Sequence, residues 1–317
     1  KEICPMPTNR TIKKDALTPT ALIAGGAGFI GSNLAETLLL KECRVVVLDS
    51  FKTGQKNYVE NLLQNPKFAL FDADINNGIP EEIESVDYVI HLAGLEEYLY
   101  NSDNVNLDVL LTNSLGTRHL LELTQKSEAA FLLASSIDIY QGLISPINID
   151  NYFGSSVKDE KKYSLIEAKR FAEALVWEYF NKNSTNVRIT RLPEIYGPRM
   201  NLESGGNLGK YLNDLIKGNE FVVYGDGVEN EYYLYITDAV AGIIKALFNK
   251  NTKGNIYTLV DGEPHATLEL VYMLKSLADR EVKVSFKNAS DNSLLIQPKI
   301  PESNNLGDLN WEPKTPL

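Results

Sequence analysis

Short, continuously apolar strands alternating with amphipathic helices, opened by a glycine-rich strand-to-helix turn, predict an α/β fold with a doubly wound parallel sheet and a smaller C-terminal lobe. Thr20–Ala24 (TALIA) is apolar on both faces, as a buried parallel strand must be. Residues 32–40 then place Leu34 and Leu38 on one helical face, and Arg44–Asp49 (RVVVLD) is the next buried strand. Further apolar runs at 68–71, 86–92, 129–134 and 187–192 supply the remaining strands, and the stretches 104–126 and 165–181 have helical periodicity.

Residues 1–19 precede this pattern without periodicity, punctuated by Pro5, Pro7 and Pro19, and read as a loose leader. Residues 20–192 read as one α/β domain opened by the glycine-rich turn. After 193, Gly197, Gly205, Gly206, Gly225 and Gly227 break the chain into short elements, so 193–317 reads as a substrate lobe, with some segments returning to the main sheet.

The composition narrows the function. A chain of 317 residues buries enough surface to fold without disulfide or metal. The formal net charge of −11 repels polyanions, which excludes a broad nucleic-acid surface. Cys4 and Cys43 are the only cysteines, and His91, His119 and His265 are too scattered for a metal site, so no metal is expected. No apolar run reaches the roughly 18 residues of a membrane span, and the beginning of the sequence lacks a signal-peptide core; a cytoplasmic protein is expected.

Gly25-x-x-Gly28-x-x-Gly31 lies between strand and helix, the context in which this spacing binds a dinucleotide. Gly25 permits the turn, Gly28 admits a pyrophosphate to the backbone, and Gly31 lets the helix approach the strand, with Phe29 and Ile30 in its first turn. Asp49 ends the second strand, where a carboxylate accepts ribose hydroxyls and repels a 2′-phosphate, which selects NAD over NADP. Asp74, with Ile75 beside it, either meets the adenine or forms a turn.

These motifs, with His91-Leu92-Ala93-Gly94, Asn113-x-x-Gly116-Thr117, Ser135-Ser136-x-x-x-Tyr140 and Tyr196-Gly197-Pro198-Arg199, resemble the extended short-chain dehydrogenase/reductase family over nearly the whole chain. The resemblance is to its nucleotide-sugar epimerases, dehydratases and decarboxylases. Asp49-Ser50-Phe51-x-Thr53-Gly54 and Tyr196-Gly197-Pro198-Arg199-Met200 look most like the UDP-glucuronate decarboxylases. It implies a Rossmann-type fold, NAD as cofactor with Leu92 and Ala93 beside it, a sugar-nucleotide substrate, and a homodimer joined through the helices of 104–126 and 165–181.

The resemblance also implies a constellation of Ser, Tyr and Lys, in which a phenolate takes the proton of a sugar hydroxyl and a lysine one turn later lowers the phenol pKa and holds the nicotinamide ribose. Ser136 occupies the hydroxyl position, Asp138 stands where dehydratases and decarboxylases place a Glu, and Lys169 lies in the matching helix. Four residues before Lys169, however, stands Leu165, and the nearest tyrosine is Tyr163. Tyr163 can serve as the base if the helix begins after it or carries a bulge; otherwise it is an ordinary tyrosine. Asn113 either supports this constellation or sits on a helix surface.

The substrate end departs as well. Glu194 replaces the family's diphosphate-binding amide, and Glu231 stands where an Arg pairs with the diphosphate. Either these carboxylates repel a diphosphate, or Glu231 is a solvated charge and Arg199 or Lys210 supplies the cation. The expectation is therefore a NAD-binding family member of reduced catalytic competence; a non-catalytic regulatory or scaffold subunit and an enzyme on a substrate lacking a diphosphate are the alternatives.

Overall fold

The computed structural model describes residues 11–94, 105–140, 163–203, 206–260, 263–288 and 306–317. Strands β1 (Thr20–Ala24), β2 (Arg44–Asp49), β3 (Phe68–Asp72), β4 (Tyr88–His91), β5 (Ala130–Ser136) and β6 (Asn186–Leu192) form a parallel sheet in the order β3-β2-β1-β4-β5-β6. Each expected strand is present; β1 and β2 have the expected ends and the others differ by one or two residues. The sheet order reverses on either side of β1, and there the crevice beyond the carboxyl ends of the strands opens.

Helix α1 (Phe29–Leu40) covers one face of the sheet. On the other face lie α2 (Val105–Leu111), α3 (Thr117–Lys126) and α4 (Tyr163–Asn183), whose Leu120, Leu121, Ala172 and Val176 meet Leu22, Val46, Val89 and Phe131. The helical stretch expected over 104–126 is broken by a π-turn at Thr112–Gly116. Side chains drawn to backbone carbonyls accompany it: Asn113 Nδ2 donates to the Val109 carbonyl at 2.9 Å and Ser114 Oγ to that of Leu110 at 2.7 Å. Asn113 is fully buried, not on a helix surface.

The C-terminal part of the chain divides between two cores. Strand β7 (Glu194–Tyr196) leads out of the sheet to α5 (Gly206–Lys217), β8 (Phe221–Tyr224), β9 (Asn230–Glu231) and β10 (Tyr233–Tyr235). After α6 (Ile236–Phe248) and β11 (Asn255–Thr258) come β12 (His265–Ala266), α7 (Thr267–Leu277) and β13 (Val284–Lys287). Leu208, Tyr211, Phe221, Val223, Tyr233, Leu270 and Val271 form the small lobe's own core. By contrast, α6 packs with α1 in the main core, and β11 adds to β6 as the seventh strand. Short α8 (Leu306–Leu309) and the tail follow: the Trp311 indole donates to the Asp238 carbonyl at 3.0 Å, and Lys314 and Thr315 N–H groups donate to the Asp238 carboxylate.

The described part of the leader is docked. Ile12 is buried, bridges to Ile83, and exchanges backbone hydrogen bonds with Glu82 and Glu84, while Lys13 and Lys14 pair with Glu84 and Asp87. One apolar side chain suffices to fix a segment whose composition carries no periodic signal.

His91, at the end of β4, is fully buried, its Nε2 3.0 Å from Thr117 Oγ1. Burial first, and Lys169 second, push its imidazole down to about 3. The unfolded chain takes up this proton below about pH 6.5 and the folded chain only near 3, so stability is present above 6.5 and is lost as pH falls toward 3. Urea denaturation should show the native chain losing on the order of 3 kcal/mol through this group between pH 7 and pH 4, and His91→Gln losing correspondingly less over the same interval. Equal losses in both proteins would contradict this assignment.

Candidate active site

The glycine turn is set by lack of space. Gly25 has φ +81°, and a Cβ there would stand 2.7 Å from the Ala93 nitrogen; on Gly31 it would stand 2.2 Å from the Gly25 carbonyl oxygen. Gly28 caps α1 in an extended conformation with no side-chain cap bond, and no acid lies in the first turn. The leading N–H groups of the helix therefore face the crevice without a side-chain acceptor. Asp49, buried at the end of β2, accepts the Ala27 N–H at 2.8 Å and the Phe51 N–H at 2.9 Å. Burial raises its carboxyl pKa and these two bonds oppose the rise. Two of the roughly four lone-pair sites of the carboxylate are used, leaving acceptor capacity toward the crevice.

Gly25, Gly28, Phe29, Ile30, Gly31, Asp49, Asp74, Ile75, Leu92 and Ala93 all line this one cleft. So do Ser50, Thr53 and Gly94, which the sequence reading quoted only as parts of motifs, and Lys52 and Thr112, which it did not single out. Asp74 makes the turn, its side chain accepting the Asn76 N–H at 2.9 Å, and lines the cleft as well. The open helix terminus, the free acceptor capacity of Asp49 and the apolar Ile75 and Leu92 walls fit a dinucleotide.

At the carboxyl end of β5, Ser136 Oγ donates to Asp138 Oδ2 at 3.0 Å and accepts the Asp138 N–H at 3.1 Å. Lys169 Nζ donates to the Ala134 carbonyl at 3.1 Å and passes close to Gly94. Burial pushes its amine down to about 8, against a smaller raising effect of Glu173. Glu173 is itself held by Arg191 through two hydrogen bonds of 3.0 and 2.6 Å, and Arg191 donates to Tyr140 Oη at 2.6 Å.

Helix α4 is α-helical from Tyr163 to Asn183. Tyr163 thus opens the helix instead of preceding it, and position 163 stands about 240° around the axis from position 169. The side chain of Tyr163 lies outside the described residues. Leu165, one turn before Lys169, packs against Val109 and Ala168.

In the small lobe, Glu231 accepts from the Tyr233 hydroxyl and from Asn207 Nδ2 at 2.8 Å. Glu194 crowds the first residue of the same helix, since a Cβ on Gly206 would stand 2.1 Å from its Oε2. Burial, then Glu231 and Glu194, raise the Tyr233 phenol pKa. Arg199 pairs with Glu36 on α1 at 2.7 Å, and Lys210 donates to the Val222 carbonyl at 2.8 Å while lying over the Tyr211 and Tyr224 rings. Both cations have partners of their own within the chain. Among the described residues no cluster of His, Cys, Asp and Glu could hold a metal, and no helix is long and apolar enough to cross a membrane.

Known proteins resemble this chain throughout. UDP-glucuronic acid decarboxylase 1 of Arabidopsis thaliana is 30% identical over 297 residues, covering 93% of this chain and 66% of that protein. UDP-glucuronic acid decarboxylase 1 of Danio rerio is 30% identical over 298 residues, covering 93% and 69%. The chain thus spans about two thirds of the length of these relatives. Among solved structures, dTDP-glucose 4,6-dehydratase of Bacillus anthracis in complex with NAD superposes with a TM-score of 0.76 at 21% identity, covering 94% of this chain and 92% of that one. UDP-glucose 4-epimerase of Thermus thermophilus in complex with NAD gives 0.74 at 23%, covering 94% and 95%. Residues 21–259 match the profile of one family, and with the glycine turn, Asp49 and the sheet order already described, the chain belongs to the NAD-dependent epimerase/dehydratase family.

Proposed function

We propose that this chain is a NAD-binding member of its family with little or no turnover of nucleotide sugars. The observation that carries the reading is Leu165, which fills the position one turn before Lys169 on an unbroken helix. NAD bound in the cleft would supply a reversible hydride acceptor. Gly25, Gly28 and Gly31 would admit its pyrophosphate to the α1 terminus, Asp49 would take the adenosine ribose, and Lys169 the nicotinamide ribose. Ser136 and Asp138 would orient a substrate oxygen, but a phenol away from Lys169 keeps a pKa near 10, leaving about one molecule in a thousand ionised at pH 7. A regulatory or scaffold role agrees with that deficit.

A second reading, an enzyme on a substrate lacking a diphosphate, is favoured by Glu194 and Glu231 converging on the first turn of α5. Two carboxylates oppose a diphosphate in a partly buried site where charges are poorly screened. A homodimer is supported by Leu107, Leu110 and Leu115 on and after α2 and by Phe171 and Trp177 on α4, all solvent-exposed in one chain and on the helices named by the resemblance.

Calorimetry should show NAD binding more tightly than NADP, with Asp49→Ala narrowing the preference; equal or tighter NADP binding in the native chain would count against the role of Asp49. Titration across UDP- and dTDP-sugars should give millimolar or weaker affinity, about 4 kcal/mol, and a single low-micromolar ligand would revive the active-enzyme reading. For any ligand that binds, NADH formation and product analysis should show Leu165→Tyr creating more activity than Tyr163→Phe removes. Brisk native turnover abolished by Tyr163→Phe would make Tyr163 the base.

A further inference from the structure

Lys52 stands in the loop after β2, inside the cleft lining, and its ammonium reaches two carboxylates on different segments. It meets Asp74 Oδ2, after β3, at 3.0 Å, and Asp108 Oδ2, on α2, at 2.9 Å. The ends of β2 and β3 are already joined, the Ala73 N–H donating to the Asp49 carbonyl at 3.0 Å, whereas α2 belongs to a separate layer; Asp74 and Ile75 line the cleft from the β3 side and Thr112, directly after α2, from the other. We propose that Lys52 is a latch over the adenosine end of the cleft, a positioning residue that slows release of the dinucleotide by tying the β2 loop to the β3 loop and to α2.

The inference rests on the dinucleotide reading of the cleft. All three side chains are partly exposed, so each pair is weak and readily broken, as a closure that must open for ligand entry requires. Asp108 is the informative partner. It does not line the cleft, and comparing the single and double variants separates an effect that passes through Lys52 from one that passes along α2 to Thr112.

The test follows release of NADH by its fluorescence, in stopped flow, after displacement with excess NAD. Lys52→Met and Asp108→Asn should each speed release about three- to tenfold. The double variant should be no faster than Lys52→Met, and Lys52→Arg should restore slow release. Added salt should speed release more in the native chain than in Lys52→Met, because the pairs are solvent-screened. Release rates unchanged in both single variants, or changed in Lys52→Met alone, would overturn the latch; the second result would mean that Lys52 touches the dinucleotide directly. Absence of any NAD or NADH binding by the native chain would overturn the dinucleotide reading and the latch with it.

Discussion

A Cβ on Gly31 would stand 2.2 Å from the Gly25 carbonyl oxygen, and one on Gly25 would stand 2.7 Å from the Ala93 nitrogen. Without side chains at these two points, α1 settles directly onto the ends of β1 and β4. That approach carries the Gly28 cap to the floor of the crevice and brings Ala27 within hydrogen-bond reach of Asp49. The Asp49 carboxylate then fastens the turn from below through Ala27 and the β2 loop through Phe51, so an anion-accepting helix end and a hydroxyl-accepting carboxylate are held in fixed relation. Lys52, three residues past Asp49 on that loop, inherits its position from the same constraint.

Much of this was legible in the sequence because the determinants are local. The glycine spacing, the apolar strands and the acid ending β2 each act within a few residues, and the cleft gathers every cofactor residue those patterns named except Lys169, which stands at its far end beside Gly94. What the sequence hid depends on contacts between distant segments. Lys52 reads as an ordinary surface charge until Asp108, far along the chain, comes beside it. The π-turn at Thr112–Gly116 has no compositional signature, since Asn113 and Ser114 are common on regular helices too. Ile12 was hidden among polar neighbours, and only the groove beside Ile83 gives it a place. The question of a late or bulged helix at Tyr163 could not be decided from spacing; the regular start of α4 decides the backbone course.

The helix that carries Lys169 and the small lobe are both satisfied from within the chain. Leu165 packs against Val109, joining α4 to α2. In the lobe, Glu231 is satisfied by Tyr233 and Asn207, hydrogen bonds within the chain itself. A site whose donors are already engaged by its own carboxylate has less to offer an incoming anion, because binding would first break those bonds.

Strand β11 gives the dinucleotide half an unusual dependence on the order of synthesis. The seventh strand of its sheet, Asn255–Thr258, and the α6 helix behind it emerge only after the whole of β8 to β10 has been made. Until then β6 (NVRITRL) is an exposed parallel edge with unpaired backbone groups along one side. Truncation anywhere between β7 and α6 would leave that edge open for good. Parallel pairing across so long a separation is slow even when the chain is complete.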